Sequence, residues 1–559
     1  MKKLGLPIGV ENFGKIRNGK AYYVDKTLFI KDIIDSQNIV ILCTRPRRFG
    51  KTLALSMLQH YFENSMISKA HIFDGLKIAD AGDEYAIEQN RYPVIALSLK
   101  RIEGKDFDTA FEGVKSVVAR EYERHDYLLK SDSLTDGHKL TFQKLIDREG
   151  NKTQYDESLQ FLSECLERHF NEKVIILIDE YDVPLEKAYF RRKNYYDDMV
   201  EFIRLFFGNA LKTNNSLHKA ILTGCLRVSK ESIFTGVNNF DVISILSREY
   251  DEYFGFTEEE VKEALVYYEI SHKATEARDW YNGYLIGNTT VYNPWSMIKY
   301  LRDASKSEDH LPISYWGNTA SNSIIKELIY EADETTKQEI EALMRGETLL
   351  KPIFEDIIYA EIKQNMNYLW SFLLFTGYLK QVGVIQKGRK NHYELKIPND
   401  EIAYIYERFI WEWTHEHIHV LDYNPLYQGL LNEDVEVIAD VISDALFKSI
   451  SYLDSAENFY HGFMTGILGL MPSYQVKSNR ESGHGRNDVF LIPNSIRKPA
   501  IVIEFKVAKE AKTIRQLLNE SINQIEEKQY AAELEDMGFS EVMKYGLVFF
   551  RKDCFAIKG

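Results

Sequence analysis

The sequence predicts an α/β protein of several domains: a parallel-sheet domain over residues 1–250, a helical middle region over 251–444, and a small α/β domain over 445–559. Three observations carry that expectation. At 559 residues the chain is too long for a single hydrophobic core. Four short, almost continuous apolar runs in the first half are separated by helical segments, the pattern of strands buried on both faces of a parallel sheet. A second group of strand-like runs opens only after residue 485, with a mostly helical stretch between the two groups.

The first strand candidate is residues 38–43, Asn-Ile-Val-Ile-Leu-Cys, which breaks into Arg45-Pro-Arg-Arg-Phe-Gly50. A helical pattern follows from Lys51 to Phe62. Further strands are expected at 93–98, 173–178 and 219–223. From about residue 250 the pattern turns helical, punctuated by Trp280-Tyr-Asn-Gly-Tyr284 and Asn293-Pro294. Residues 365–382 read as an apolar helix, followed by short strands near 393–397, which suits a helical lid plus a winged-helix-like element. The final unit reads as a helix at 457–470, strands at 486–492 and 500–507, a helix at 511–535 and a strand at 545–550.

Composition narrows the function classes. Hydrophobic residues make up 45% and charged residues 27%, ordinary for a folded globular chain. Cys43, Cys165, Cys225 and Cys554 are far apart and form no CxxC pair, which argues against a zinc site and against a disulfide framework. The N-terminus lacks the apolar core of a signal peptide, and no stretch approaches the roughly 20 apolar residues of a membrane helix. A cytoplasmic protein without a membrane partner is expected, with oligomerisation left open. The net charge of −15 speaks against a protein that coats nucleic acid non-specifically. Residues 446–559 nevertheless hold 15 Lys plus Arg against 14 Asp plus Glu, a local balance that permits nucleic-acid contact.

Arg45-Pro-Arg-Arg-Phe-Gly50-Lys51-Thr52 nearly fits the phosphate-binding pattern GxxxxGK[ST], with Arg45 where the first glycine should stand. In that pattern a loop after a strand turns backbone N–H groups and a helix N-terminus toward phosphate. Lys51 would reach the outer phosphates and Thr52 would ligate magnesium. A non-glycine residue disfavours positive φ, so Arg45 is expected to keep negative φ and to turn its side chain outward. The apolar run 173–178 leads directly into Asp179-Glu180, the order of a Walker B strand: Asp179 would hold magnesium and Glu180 would orient or deprotonate the attacking water. An acid at a strand end can also be a plain cap. After the run 219–223, Thr223 could touch the γ-phosphate or its water, and Arg227 could offset transition-state charge or be a surface arginine.

Tyr23-Val-Asp-Lys-Thr27, the Arg45-to-Thr52 loop, Asp179-Glu-Tyr-Asp182 and Thr223-Gly224 together resemble the bacterial predicted AAA-ATPase family (AAA-ATPase-like proteins) over roughly the first 280 residues. In that family an Arg-Pro-Arg-Arg-Phe-Gly-Lys loop is the usual form. The resemblance implies a P-loop core of the ASCE type that uses ATP and Mg²⁺. Arg48, Phe49, Gly50, Lys51 and Thr52 would sit at the nucleotide with Thr223 and Arg227, Thr52 and Asp179 at the metal, and Glu180 as the catalytic carboxylate.

A second constellation lies near the C-terminus, where Asp488 opens one expected strand and Glu504 and Lys506 stand two apart on the next. Period-two alternation places Glu504 and Lys506 on one face and Phe505 on the other. An adjacent strand carrying Asp488 would bring a second carboxylate to that face, and two carboxylates suit Mg²⁺. Lys506 could then position water and relieve phosphate charge. A plain salt bridge is the alternative for an isolated ExK. Asp488, Glu504 and Lys506, followed by a helix with Gln524, resemble the PD-(D/E)xK nuclease superfamily over about the last 115 residues. The resemblance implies catalytic roles for Asp488, Glu504 and Lys506, with Asp488 and Glu504 as metal ligands. Many relatives add a Glu on the preceding helix; here Glu457, His461 or Glu481 would have to substitute.

Two functional expectations follow. In the first, nucleotide state regulates a magnesium-dependent nuclease acting on DNA or RNA, in defence or mobile-element handling. In the second, the ATPase is a switch or scaffold whose C-terminal domain grips nucleic acid or protein without cutting.

Overall fold

A computed structural model of the chain describes residues 3–65, 69–191, 195–227, 240–307, 309–317, 322–357, 359–362, 366–418, 422–448, 457–478, 488–528, 534–535 and 537–559. It divides into two compact units, Met1–Ala332 with Gly346–Ile405, and Asp333–Arg345 with Tyr406–Gly559.

In the first unit, β1 (Val40–Thr44) is buried at every position. β2 (Val94–Ser98), β3 (Val174–Asp179) and β4 (Leu217–Gly224) are almost as fully enclosed, as their continuous apolar sequences require. With β5 (Phe240–Ile243) they form a wholly parallel sheet of order β2-β3-β4-β1-β5. β4 is therefore inserted between the strand that enters the phosphate loop and the strand that ends in Asp179, which is the ASCE arrangement. β5 escapes a sequence reading because Phe240-Asp-Val-Ile243 is too short and too mixed to form an apolar run.

Side chains close the ends and edges of this layer. On the edge strand β2, Glu121 accepts from the Ala96 N–H at 2.7 Å and Arg124 donates to the Val94 carbonyl at 2.5 Å. Both come from the helix Phe107–Arg124, so the edge offers fewer open backbone groups to another strand. Lys219 of β4 donates to the carbonyls of Ile33 and Ser36 at 2.5 and 2.8 Å, satisfying the C-terminal end of the helix Leu28–Asp35.

Beyond the sheet, a small hairpin of β6 (Tyr284–Ile286) and β7 (Thr289–Val291) precedes the helix Pro294–Ala304. Asn293 caps this helix by accepting from the N–H groups of Trp295 and Ser296. The buried Glu401 ties the same region together, since its Oε1 accepts from Ser296 Oγ and from the Tyr315 and Trp316 amides at 2.7–3.0 Å. Its Oε2 is buried without a hydrogen-bond partner among the described residues. Burial pushes the Glu401 carboxyl up to about 7.

The apolar helix expected over 365–382 is shorter in the structure: it runs Met366–Thr376. Gly377 takes φ +91°, a left-handed conformation open to glycine, and the chain leaves the helix there. Residues from Lys380 belong to a strand instead. β8 (Leu349–Pro352), β9 (Lys380–Lys387) and β10 (Lys390–Lys396) make an antiparallel sheet of order β8-β10-β9.

The second unit carries a mixed sheet, β11 (Tyr474–Ser478), β12 (Asp488–Pro493), β13 (Ala500–Val507), β14 (Val542–Phe550) and β15 (Asp553–Lys558). One face (Val489, Ile501, Ile503, Phe505, Leu547) packs on the helices Asn424–Leu431, Val435–Lys448 and Glu457–Leu468. The other face (Phe490, Ala500, Val502) packs on Ile525 of the helix Ile514–Glu527. That helix ends well before the expected residue 535. It also approaches closely: a Cβ added to Gly546 would stand 1.9 Å from Ser521 Oγ. Glycine at 546 is thus a spacing requirement.

Two outcomes follow. Gly546→Ala should destabilise the C-terminal unit by about 1–3 kcal/mol through overpacking, and adding Ser521→Ala should recover part of the loss in a thermal melt. A destabilisation that Ser521→Ala leaves unchanged would refute the contact as its cause. For Glu401 the folded-state pKa lies above the unfolded value of 4.5, so the carboxyl contributes stability at low pH that fades as pH rises through about 7. Glu401→Gln keeps an acceptor at Oε1 and removes the ionisation. Its melting temperature should therefore gain on the wild type between about pH 4.5 and 7, and parallel curves would show the group to be silent.

Candidate functional site

The phosphate loop grows out of β1 and is fixed by its neighbours before any ligand enters. The Arg45 N–H donates to the Gly224 carbonyl at 3.0 Å, continuing the β1–β4 pairing by one residue. Arg45 keeps negative φ as expected, but its side chain is not turned outward; it is completely buried. Its guanidinium donates to the carbonyls of Thr44 and Ile243 at 2.9 and 2.8 Å and to those of Glu249 and Tyr250 at 3.3 Å. It also lies 5.1 Å from the Phe254 ring centre. The carbonyl-rich end of β5 and the segment after it supply the acceptors, which explains why the outward expectation fails. Burial pushes Arg45 down to about 10.

The turn of the loop falls on Arg48, at φ +69°, and Gly50, at φ +83°. Only the second is a glycine. The Arg48 guanidinium stacks 4.2 Å from the Trp295 ring centre, and Phe49 is buried edge-on against Tyr284 at 5.0 Å. Those two side chains brace the loop, and Phe49 lines an apolar cavity beside it while leaving the larger cleft to its neighbours. Lys51 opens the helix Lys51–Phe62 and is 3% exposed. Its ammonium donates to the Arg45 and Pro46 carbonyls at 3.0 and 3.2 Å and lies 3.8 Å from Glu180. Burial opposes its charge, but the Cys225 sulfur and the carboxylates of Glu180, Asp182 and Asp179 outweigh burial and hold its pKa above the usual lysine range.

Asp179 is the meeting point of three elements. Thr52 donates to its Oδ2 at 2.8 Å and Thr223, from β4, donates to its Oδ1 at 2.7 Å. Burial, then the neighbouring Glu180, raise the Asp179 pKa. Glu180 follows at φ +54°, and its Oε2 is buried without a hydrogen-bond partner among the described residues. A strained backbone and an orphan carboxylate oxygen beside Lys51 fit a group that awaits water or a metal-bound phosphate. Thr52 and Asp179 offer hard oxygen donors of the kind Mg²⁺ takes.

Three contributors were not singled out from sequence. Asp182 is fully buried and its Oδ2 accepts from the amides of Cys225 and Leu226 at 2.9 and 3.0 Å, locking the segment after β4. Burial, with Glu180 and Glu186 nearby, pushes its pKa up to about 7. Arg47 forms a bidentate pair with Glu186 at 2.5 Å. A cleft of about 580 Å³ opens over Gly50, Lys51, Thr52 and Glu180, with Trp295 and Ile298 of the helix Pro294–Ala304 on its far wall. An apolar cavity of about 90 Å³ adjoins it, sharing Gly50, Leu53, Pro294 and Ile298 and adding Tyr22 and Met57. Asp182 stood in the quoted Asp179-to-Asp182 motif; nothing local in the sequence marks Trp295 or Ile298. Arg227 does not line the cleft: its Nε lies 3.2 Å from the Asp356 carboxylate and has no hydrogen-bond partner among the described residues.

In the second unit the register pairs Asp488 directly with Glu504 across β12 and β13. Paired positions of an antiparallel ladder share a face. Position 488 therefore lies on the face of Glu504 and Lys506, the one covered by the helix Ile514–Glu527. The Asp488 side chain is outside the described residues, as are Glu481 and the side chains of Glu457 and His461. Glu504 is completely buried and lies 3.6 Å from Lys506, whose ammonium donates to Gln524 Oε1 at 2.7 Å. Among the described residues no three His, Cys, Asp or Glu gather as a metal cage, and the other candidate ligands on this face lie outside the described residues. All four cysteines are free and buried, and among the described residues no helix is long and apolar enough to cross a membrane.

Comparison with known proteins matches two segments of the chain to families. Residues 7–234 match the family model described as predicted AAA-ATPase, and residues 455–559 match that of the PD-(D/E)XK nuclease superfamily. A protein of Azotobacter chroococcum mcd 1, described as an uncharacterized protein in the vnfD 5' region, is 27% identical over 547 residues, covering 95% of this chain and 94% of the relative. Residues 7–234 are thus an AAA-ATPase-like domain and residues 455–559 a domain of the PD-(D/E)XK nuclease superfamily, carried on one chain.

Proposed function

We propose that the chain is an ATP-hydrolysing protein whose nucleotide state regulates a magnesium-dependent nuclease domain acting on nucleic acid. The observation that supports it most is the convergence of Thr52, Thr223 and Asp179 beside a buried Lys51 and a Glu180 with an unsatisfied oxygen. Lys51 would exchange its carbonyl partners for the β- and γ-phosphates of ATP. Thr52 and Asp179 would hold the Mg²⁺ that accompanies ATP and offsets phosphate charge. Glu180 would take the unmet hydrogen bond of its Oε2 from the attacking water and accept its proton. Thr223 fixes the Asp179 carboxylate from the adjacent strand, and Asp182 fixes the backbone that follows Thr223. The neighbouring apolar cavity would take the base.

In the C-terminal unit, Asp488 and Glu504 would hold a divalent cation, which supplies charge neutralisation and an activated water at the scissile phosphate. Gln524 orients the Lys506 ammonium toward the same face, where Lys506 would bind the phosphate or its attacking water. The reading that this domain only grips its partner makes Lys506 dispensable for any turnover, and the two are separated by assay.

Lys51→Ala should abolish tight ATP binding. Glu180→Gln should keep binding, measured by isothermal titration, and lose about a hundredfold or more in hydrolysis. A Glu180→Gln protein that turns over ATP normally would remove that residue from its role. For the second site, Mn²⁺ or Mg²⁺ should raise the melting temperature of the wild type, and less so that of Glu504→Gln. Nucleic-acid cleavage in the same metals should disappear in Lys506→Ala. Equal cleavage by Lys506→Ala would favour a contaminant or another site, and no cleavage by the wild type would favour the gripping role.

A further inference from the structure

The β9–β10 hairpin projects a basic tip that neither site uses. Lys387 and Lys390 close it as a directly opposed pair, with Gly388 and Arg389 between them, and residues 384–391 are exposed along both strands. Gly388 adopts φ +63° while Arg389 does not take positive φ, as a two-residue hairpin turn with glycine in first place requires. The turn is therefore tight, and it fixes three cations at adjacent positions. Like charges directly opposed across a ladder cost stability. The local sequence supplies no carboxylate to relieve them: residues 362–393 contain no Asp or Glu, in a chain that holds 84. Among the described residues, Lys387, Arg389 and Lys390 make no ion pair.

A charge concentration that is unfavourable alone becomes favourable against a polyanion, because each cation displaces a condensed counterion. The exposed Val384 and Ile385, 53% and 42% accessible, sit just behind the tip and offer apolar surface beside the charges. The rest of the chain carries a net negative charge and would repel nucleic acid, so contact must concentrate where the acids are absent.

We propose that the hairpin tip Lys387-Gly388-Arg389-Lys390 is a nucleic-acid backbone clamp. The cations meet successive phosphates, and Ile385, two residues from Lys387 and on the same strand face, meets sugar. The choice of nucleic acid over another polyanion rests on the nuclease reading of the C-terminal domain. The contact itself carries no base specificity, since phosphate contacts position without reading sequence.

The test uses the full-length protein in EDTA, so that binding is measured without cleavage. Fluorescence anisotropy with labelled duplex DNA, single-stranded DNA and RNA compares the wild type with Lys387→Ala/Arg389→Ala/Lys390→Ala. The triple variant should bind at least one of these about tenfold or more weakly, with a salt dependence shallower by roughly two to three in the log–log slope. Its ATP hydrolysis should match the wild type and its melting temperature should not fall, because the altered side chains are exposed, outside both sites and relieved of their mutual repulsion. Unchanged affinity and slope would overturn the proposal, as would a wild type that binds none of the three nucleic acids. So would a variant that loses only its affinity for anionic phosphatidylserine vesicles, which would assign the tip to a membrane surface. Tip-dependent binding in a protein that cuts nothing supports the clamp and discards the nuclease reading, so the two ideas fail separately.

Discussion

The first unit, with its AAA-ATPase-like domain, depends on one buried carboxylate. Asp179 receives Thr52 from the loop helix and Thr223 from β4, so three separate pieces of chain are registered on two oxygen atoms. An acid at that depth is costly to ionise, and its raised pKa records the cost. The two hydroxyl donors offset it. Because β4 lies between β1 and β3, Thr223 can reach the aspartate from the side while Thr52 reaches it from the loop. Strand order thus decides which side chains can meet, and the sheet is as much a part of the site as the loop.

Much of this was legible beforehand for a physical reason. Strands buried on both faces must be nearly all apolar, so β1 to β4 announce themselves, and the residues that break such runs stand at strand ends where ligands bind. Lys51, Thr52, Asp179 and Glu180 were found that way. Period two places Glu504 and Lys506 on one face, whereas the pairing of Asp488 with Glu504 depends on a strand register that the sequence does not display. What stayed hidden was long-range or compensatory. β5 is short and half-polar. Trp295 and Ile298 reach the cleft from more than two hundred residues away. Arg45 was misjudged because a backbone rule fixes its φ and says nothing of where its side chain finds acceptors.

Buried carboxylates in this chain are held in two ways. In the first, Asp182 and Glu401 are held by backbone amides, and each keeps one oxygen without a hydrogen bond among the described residues, with pKa values near 7. In the second, Glu504 has a lysine at 3.6 Å, and that lysine is itself held by an amide oxygen. A carboxylate held only by dipoles can lose its charge and keep its geometry. One that faces an ammonium is held by that partner as well as by its surroundings.

The buried Arg45 also restricts how this loop could have changed over time. Replacing it by the glycine of an ordinary phosphate loop would remove a large side chain from a packed interior and leave four carbonyl oxygens without their donor, all in one step. Reaching that glycine without an unstable intermediate would require the segment around Glu249 and Tyr250 to be rebuilt first. The arginine therefore acts as a lock: with those carbonyls turned inward to meet it, a single substitution to glycine leaves all four unmet at once.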